Sequence, residues 1–295
     1  MYHQELPFLA QEVAQDYDHA TVVILPIPYE ATTTYRKGCA YGAFAILDAS
    51  QQVEYYDEEL DVQTGVKIGI YTHSSVANTI ENPHCTAEEM IDVTSKTVAK
   101  CIEDGKFVIG LGGEHSITTG MVKAYDKMIS EPFTVVQIDA HGDLRYEYED
   151  SIHNHACVMH RILEMGIPSL PVGIRAICKE EADLIKKEQI PVIWAREIAQ
   201  NPNWIDDAIA KIKTSKVFLS IDLDGIDPSI IPGVGTPEPG GLQWYELLNF
   251  LKSLFHNHEV IGADVMELAP INGSVVSEFT AAKLVYKLIG YKFFH

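Results

Sequence analysis

Three short segments carry side chains able to do chemistry. Asp139-Ala140-His141-Gly142-Asp143 follows an apolar, β-type run. Alternate side chains of a strand share a face, so Asp139, His141 and Asp143 converge at its end. Asp222-Leu223-Asp224 ends a second such run, Val217-Phe218-Leu219-Ser220-Ile221. His115 follows a third, in Gly110-Leu111-Gly112-Gly113-Glu114-His115-Ser116. Carboxylates and imidazoles crowded at buried strand ends repel one another and lose hydration unless a cation neutralises them. The expected chemistry is that of a metal centre made by His115, Asp139, His141, Asp143, Asp222 and Asp224.

Two imidazoles, four carboxylates and no thiolate suit Mn2+, with Fe2+, Co2+, Ni2+ and Mg2+ as rivals. Structural zinc would call for a closed tetrahedron rich in Cys or His. Six ligands are too many for one ion that must also hold water. Two ions ~3.5–4 Å apart, sharing bridging carboxylates, fit better and can activate water. A lone histidine at a helix start is more often a surface residue; the two aspartate strand ends reverse that preference for His115. The glycine-rich turn lacks the lysine of a phosphate-binding P-loop. Its glycines are expected to let the backbone turn sharply and approach closely.

The elements that must position these groups alternate along the chain. Strands are predicted at Thr21–Ile27, Val66–Tyr71, Lys106–Leu111, Phe133–Asp139, Pro171–Ile174, Ile190–Trp194, Val217–Asp222 and Val260–Val265. Helices are predicted at Thr86–Asp104, Ser116–Ile129, Lys179–Lys187, Asn203–Lys213, Leu242–Phe255 and Ser277–Leu288. Thr86-Ala87-Glu88-Glu89 has the pattern of a capping box. Several strands are apolar on both faces, as in a parallel sheet covered by helices. The expectation is a three-layer α/β/α sandwich with a central, mostly parallel eight-stranded sheet. Sites in such folds lie at the carboxyl ends of strands, where the metal-type residues stand.

The 295 residues, 46% hydrophobic and without a linker or internal repeat, read as one domain over 1–295. No apolar run reaches the ~20 residues of a membrane span, and Met1-Tyr2-His3-Gln4-Glu5 has neither the charge nor the apolarity of a signal peptide. Cys39, Cys85, Cys101, Cys157 and Cys178 are scattered without a CxxC, as expected of free thiols in a reducing compartment. A soluble, cytoplasmic protein is expected. The formal net charge of −20 opposes nucleic-acid and anionic-membrane binding and is compatible with a small cationic substrate.

Gly112-Gly113-Glu114-His115-Ser116, Asp139-Ala140-His141-Gly142-Asp143 and the segment 220–228, Ser-Ile-Asp-Leu-Asp-Gly-Ile-Asp-Pro, resemble in order the three signatures of the ureohydrolases, the arginase/agmatinase family. The resemblance runs from Pro26-Ile27-Pro28-Tyr29 to Met266-Glu267. The agmatinase branch is most similar, through Asp143-Leu144-Arg145, Glu147-Tyr148, His155-Ala156-Cys157-Val158-Met159 and the run 235–242, Gly-Thr-Pro-Glu-Pro-Gly-Gly-Leu. It implies two Mn2+ per subunit, one on His115, Asp139, Asp143 and Asp222 and the other on His141, Asp139, Asp222 and Asp224. It further implies His155 as a proton shuttle, Glu267 as the guanidinium-binding carboxylate and Thr236 as a group positioning Glu267 or the substrate. A homo-trimer or homo-hexamer is implied as well. One departure is His160, where agmatinases often have Arg; Arg161 follows it. His153 and His160 carry no implied role.

The reaction implied is hydrolysis of a guanidine to urea and an amine, with Asp143 and His155 delivering a proton to the leaving nitrogen. The acidic segment Tyr146–Asn154 has no Lys and offers only Ser151 and Asn154 as donors to a carboxylate. It suits agmatine, giving putrescine in polyamine biosynthesis. Alternatives are guanidinobutyrate, guanidinopropionate, guanidine, arginine or formimidoylglutamate, and, outside catalysis, a silent metal-binding scaffold.

Overall fold

The computed structural model describes residues 6–294; the N-terminal pentapeptide read above for a leader lies outside the described residues. The strands are β1 (Val22–Ile27), β2 (Tyr56–Asp57), β3 (Val62–Gln63), β4 (Ile70–Thr72), β5 (Phe107–Gly112), β6 (Phe133–Ile138), β7 (Ser169–Ile174), β8 (Ile193–Trp194), β9 (Lys216–Asp222) and β10 (Glu259–Met266). The helices are α1 (Gly42–Ser50), α2 (Thr64–Lys67), α3 (Ala87–Glu103), α4 (Thr118–Met128), α5 (Val158–Glu164), α6 (Lys179–Glu188), α7 (Ala195–Gln200), α8 (Trp204–Lys211), α9 (Trp244–Asn257) and α10 (Val276–Phe293).

Eight strands form one sheet in the order β4-β1-β5-β10-β9-β6-β7-β8, and every neighbouring pair is parallel. Alternate residues feed two cores. Val22 and Ile24 of β1 face Phe44 of α1, Leu251 of α9 and Leu284 of α10. Val23 and Leu25 face Met90 of α3, Met121 of α4 and Met159 of α5. Helices therefore cover both faces, the three-layer α/β/α arrangement the sequence predicts. Each fully buried aliphatic side chain contributes roughly 1.5–3 kcal/mol. The strands at the centre of the sheet carry the site. β5, β10, β9 and β6 are adjacent, so their carboxyl ends open onto one rim.

Two sequence expectations need correction, and several elements were not expected. The stretch Val66–Tyr71 is not one strand: Thr64–Lys67 is a helical turn, closed by Ile68 N–H to Thr64 O at 2.9 Å, and the strand begins at Ile70. The strand expected at Ile190–Trp194 shrinks to two residues, since Pro191 has no N–H for the ladder. The hairpin β2–β3 and the helices α1, α5 and α7 were not anticipated. Helix α3 starts as predicted: Thr86 Oγ1 accepts from Glu89 N, and Glu89 Oε2 accepts from Thr86 N.

The glycine-rich turn bends at Gly113 and Glu114, and its glycines allow close approach as well. A Cβ on Gly113 would lie 1.9 Å from Tyr29 O, and one on Gly112 1.8 Å from Met266 Sδ. This contact seats the segment after β1 against the end of β5.

Candidate metal centre and active site

The ends of β5, β6 and β9 bring the six metal-type residues together, and the end of β10 adds Glu267. His115 Nδ1 lies 3.1 Å from Asp139 Oδ2, 3.1 Å from Asp143 Oδ2 and 3.4 Å from Asp222 Oδ2. His141 Nδ1 lies 3.0 Å from Asp224 Oδ2 and 3.6 Å from Asp139 Oδ1. Two groups thus have the spacing to hold an ion, His115/Asp139/Asp222 and Asp139/His141/Asp224, with Asp139 common to both. The Asp222 oxygen not facing His115 accepts Asp224 N–H at 2.9 Å.

The donor set fits divalent cations. All four aspartates are buried. Burial pushes the Asp143 carboxyl up to about 7, with the Asp139 charge adding to it. Burial, then Asp224 and Asp139, pushes Asp222 well above the usual carboxylate range. Burial opposes the charged form of His115, yet Asp139, Asp143 and Asp222 outweigh it and raise this imidazole well above its ordinary value. Asp139 is pushed up by burial but held below the usual range by His115 and His141. Buried carboxylates that outnumber their cationic partners need added positive charge.

Neighbours that the sequence did not flag orient these ligands. His115 Nε2 lies 2.9 Å from Ser220 Oγ, which donates to Asp264 Oδ1 at 2.7 Å. Ser220 therefore accepts from Nε2–H and leaves Nδ1 as the nitrogen available either to donate to the carboxylates or, deprotonated, to bind a cation among them. Gln137 Nε2 donates to Asp139 Oδ2 at 2.7 Å, and His141 N donates to Asp139 Oδ1 at 2.6 Å. Burial holds the Asp264 carboxyl up, at about 6. Asp143 and Glu267 adopt left-handed backbone, φ 52 and 67. Such strain is typical of over-determined functional sites. Here the Asp143 carbonyl takes Met159 N at 3.0 Å from α5, and Glu267 N is bound to Gly113 O at 2.8 Å.

A cavity of about 160 Å³ lies over the clusters, lined among others by His141, Asp143, His155, Asp222, Asp224, Thr236 and Glu267. Glu267 is buried beside His115, whose N–H it accepts at 2.7 Å. Burial and the nearby Glu114 push its carboxyl well above the usual range. His155 sits at the wall, held to Thr32; burial depresses its imidazole. The hydroxyl of Thr236 points at Asp224 Oδ2, 3.4 Å away, and not at Glu267.

The mouth differs from the sequence expectation. Tyr148 lines it, but Asn154 caps Ala156 N instead and is buried. Glu149 and Asp150, φ 47 and 60, form the tip of a tight turn between Tyr148 and Ser151. Arg36 and Arg145 also line the mouth. Arg36 Nη2 is bound to Pro270 O at 2.9 Å, and the Arg145 guanidinium lies over the Tyr148 ring, 4.6 Å from its centroid. His160 sits outside the lining: its Nδ1 meets Leu144 O at 2.8 Å and its ring packs edge-on against Tyr146. A larger cavity of about 550 Å³, between Glu59, Trp244, Phe279 and Lys283, holds no histidine and no such cluster among its lining residues.

A parallel sheet whose central strand ends gather paired His/Asp groups under one small cavity is the framework of a ureohydrolase, an enzyme that hydrolyses C–N bonds of guanidino compounds. The model described as "Arginase family" matches residues 20–290, and the chain belongs to that family. It is 60% identical over 284 residues to the N(1)-aminopropylagmatine ureohydrolase of Synechocystis sp., covering 96% of this chain and 93% of that one. It is 34% identical over 277 residues to the agmatinase of Pyrococcus horikoshii, covering 93% of each. Its fold superposes on the agmatine ureohydrolase of Thermoplasma volcanium with a TM-score of 0.82 and 29% identity, over 96% of this chain and 93% of that one.

Proposed function

We propose that the whole chain, 1–295, acts as one ureohydrolase domain that removes the amidino group from a guanidine with a polyamine tail. The favoured substrate is N(1)-aminopropylagmatine, giving urea and spermidine. This extends the expectation from sequence, agmatine to putrescine and urea. The observation that carries the reading is the pair of His/Asp groups sharing Asp139 beneath a cavity that also holds Glu267 and His155. The identity to the Synechocystis enzyme supports the longer tail.

In this reading His115, Asp139, Asp143 and Asp222 would hold one Mn2+, and His141, Asp139, Asp222 and Asp224 would hold the other. Ni2+, Co2+ or Fe2+ are alternatives. When bound, such a pair supplies Lewis-acid activation of water at neutral pH. Glu267 receives the guanidinium N–H groups through charge-assisted hydrogen bonds and fixes the reacting carbon, replacing random encounter by alignment. Asp143 holds a proton at its carboxylate and passes it toward the leaving nitrogen, and His155 Nε2 exchanges it with solvent. Thr236 steadies Asp224. The enzyme is read as a cytoplasmic homo-trimer or homo-hexamer.

One feature favours a second reading. Arg145 at the mouth could receive a carboxylate tail, as in guanidinobutyrate or arginine. Urea release from aminopropylagmatine, agmatine, guanidinobutyrate, arginine and guanidine by the Mn2+-loaded protein separates the two. The highest kcat/KM is expected on aminopropylagmatine; a preference for a carboxylate-tailed substrate would overturn the assignment.

A further inference from the structure

The segment after β1 is pinned over the site by two carboxylates. Glu30 accepts from Thr33 Oγ1, Gly38 N and Ala40 N, each at 3.0 Å. Glu114 is fully buried and accepts from Ala31 N and Thr32 N at 2.6 Å, from Thr32 Oγ1 at 2.7 Å and from Ser116 Oγ at 2.6 Å. Thr32 has a single hydroxyl hydrogen, and Glu114 takes it. The two remaining lone pairs of Thr32 Oγ1 face His155: its backbone N–H at 2.9 Å and its ring Nδ1 at 3.2 Å. With no hydrogen left to give, Thr32 can only accept from Nδ1.

We propose that Thr32, locked by Glu114, fixes His155 as the Nδ1–H tautomer and leaves Nε2 as the nitrogen that exchanges protons in the cavity. Thr32 is then a positioning residue, the middle member of the chain Glu114–Thr32–His155, in which one group orients another that moves a proton. Its kinetic consequence rests on the role of His155 given under Proposed function; the tautomer follows from the hydrogen bonds alone.

The test uses Thr32→Val, which keeps shape without the hydroxyl, and Thr32→Ser, which keeps the hydroxyl. Ring-nitrogen NMR of 15N-histidine protein loaded with diamagnetic Zn2+ reads the tautomer directly, with His155→Ala assigning the signal. The wild type and Thr32→Ser should show a protonated Nδ1 and a bare Nε2, and Thr32→Val should lose that pattern. A wild-type His155 protonated on Nε2 would overturn the proposal. In the Mn2+-loaded enzyme, Thr32→Val should lower kcat ~10–100-fold, within the range of general acid–base catalysis, with KM nearly unchanged. Thr32→Ser should stay close to wild type. In a His155→Ala background the Thr32→Val change should cost nothing further, because the two act as a unit. An equal loss in both backgrounds would mean that Thr32 acts elsewhere and would sink the proposal. Full activity of His155→Ala would instead remove the reading of His155 as proton donor, leaving the tautomer to the NMR result.

Discussion

Asp139 is the residue on which the two metal groups meet, so it is where the account is most exposed. Asp139→Asn keeps the acceptor to His141 N but loses the charge. The variant should lose bound Mn2+ and urea release together, by more than the ~10–100-fold typical of changes to residues that only support a ligand. Full turnover without metal would contradict this. Glu267→Gln retains an acceptor for His115 N but removes the charge facing a guanidinium. Truncating one partner of a buried charge pair costs about 2–5 kcal/mol, so kcat/KM should fall by roughly two orders of magnitude or more with metal content intact. A variant of wild-type kcat/KM would exclude Glu267 from substrate binding. The acids and imidazoles clustered at apolar strand ends were legible from the chain, because such a cluster is costly to bury without added positive charge. Ser220, Asp264, Gln137 and Glu114 were not assigned roles. The partners of Ser220, Asp264 and Glu114 are long-range, as in the 82 residues that separate Thr32 from Glu114, and such pairings leave no periodic trace; Gln137 meets Asp139 two residues on, through an amide whose direction no sequence pattern marks.

Among elements, the long amphipathic ones were legible and the short or all-apolar ones were not. Helix α3 announces itself by its capping box and its one apolar face. Helix α1 is buried at seven of nine positions, so it has no polar stripe to mark it. The stretch Val66–Ile70 alternates like a strand, yet Val66 is exposed and its turn is helical. Glycine at 113 has a measurable role. Gly113→Ala should destabilise the fold by about 1–3 kcal/mol in urea unfolding, because the added methyl meets the backbone at Tyr29. Unchanged stability would show that the close approach is not needed. Helix α10 and the β2–β3 hairpin are joined by Lys287, which meets Asp57 at 2.7 Å and Glu59 at 2.9 Å. Burial raises the Glu59 carboxyl, but Lys252, Lys287 and Tyr291 outweigh it and bring it down to about 2. A depressed carboxylate stabilises the fold above its unfolded value, and that stabilisation drains away as pH falls from about 4.5 toward about 2. Lys287→Met should cost about 3–5 kcal/mol at neutral pH by leaving Asp57 buried and unpaired. It should also flatten the acid limb of stability against pH; a variant with an unchanged limb would assign the acid sensitivity to other groups.

At the scale of the whole molecule, sheet order explains why residues distant in sequence form one site. The chain leaves a gap beyond β5, builds β6, β7 and β8, and returns to fill it with β9 and β10. The sequence conveys the strands and their apolar faces, hence the layers, but this return is a matter of tertiary packing. No helix among the described residues is long and apolar enough to cross a membrane. The net charge of −20 adds a long-range field that favours cationic substrates. Raising salt from about 20 to about 300 mM shortens the Debye length several-fold. kcat/KM for aminopropylagmatine should then fall more than that for guanidinobutyrate; equal responses would remove any role for steering. The most direct test of the binuclear centre is anomalous diffraction at the manganese edge from crystals of the Mn2+-loaded protein. Two peaks ~3.5–4 Å apart are expected, one beside His115 and one beside His141, with Asp139 between them. A single peak, or peaks away from these residues, would contradict the account.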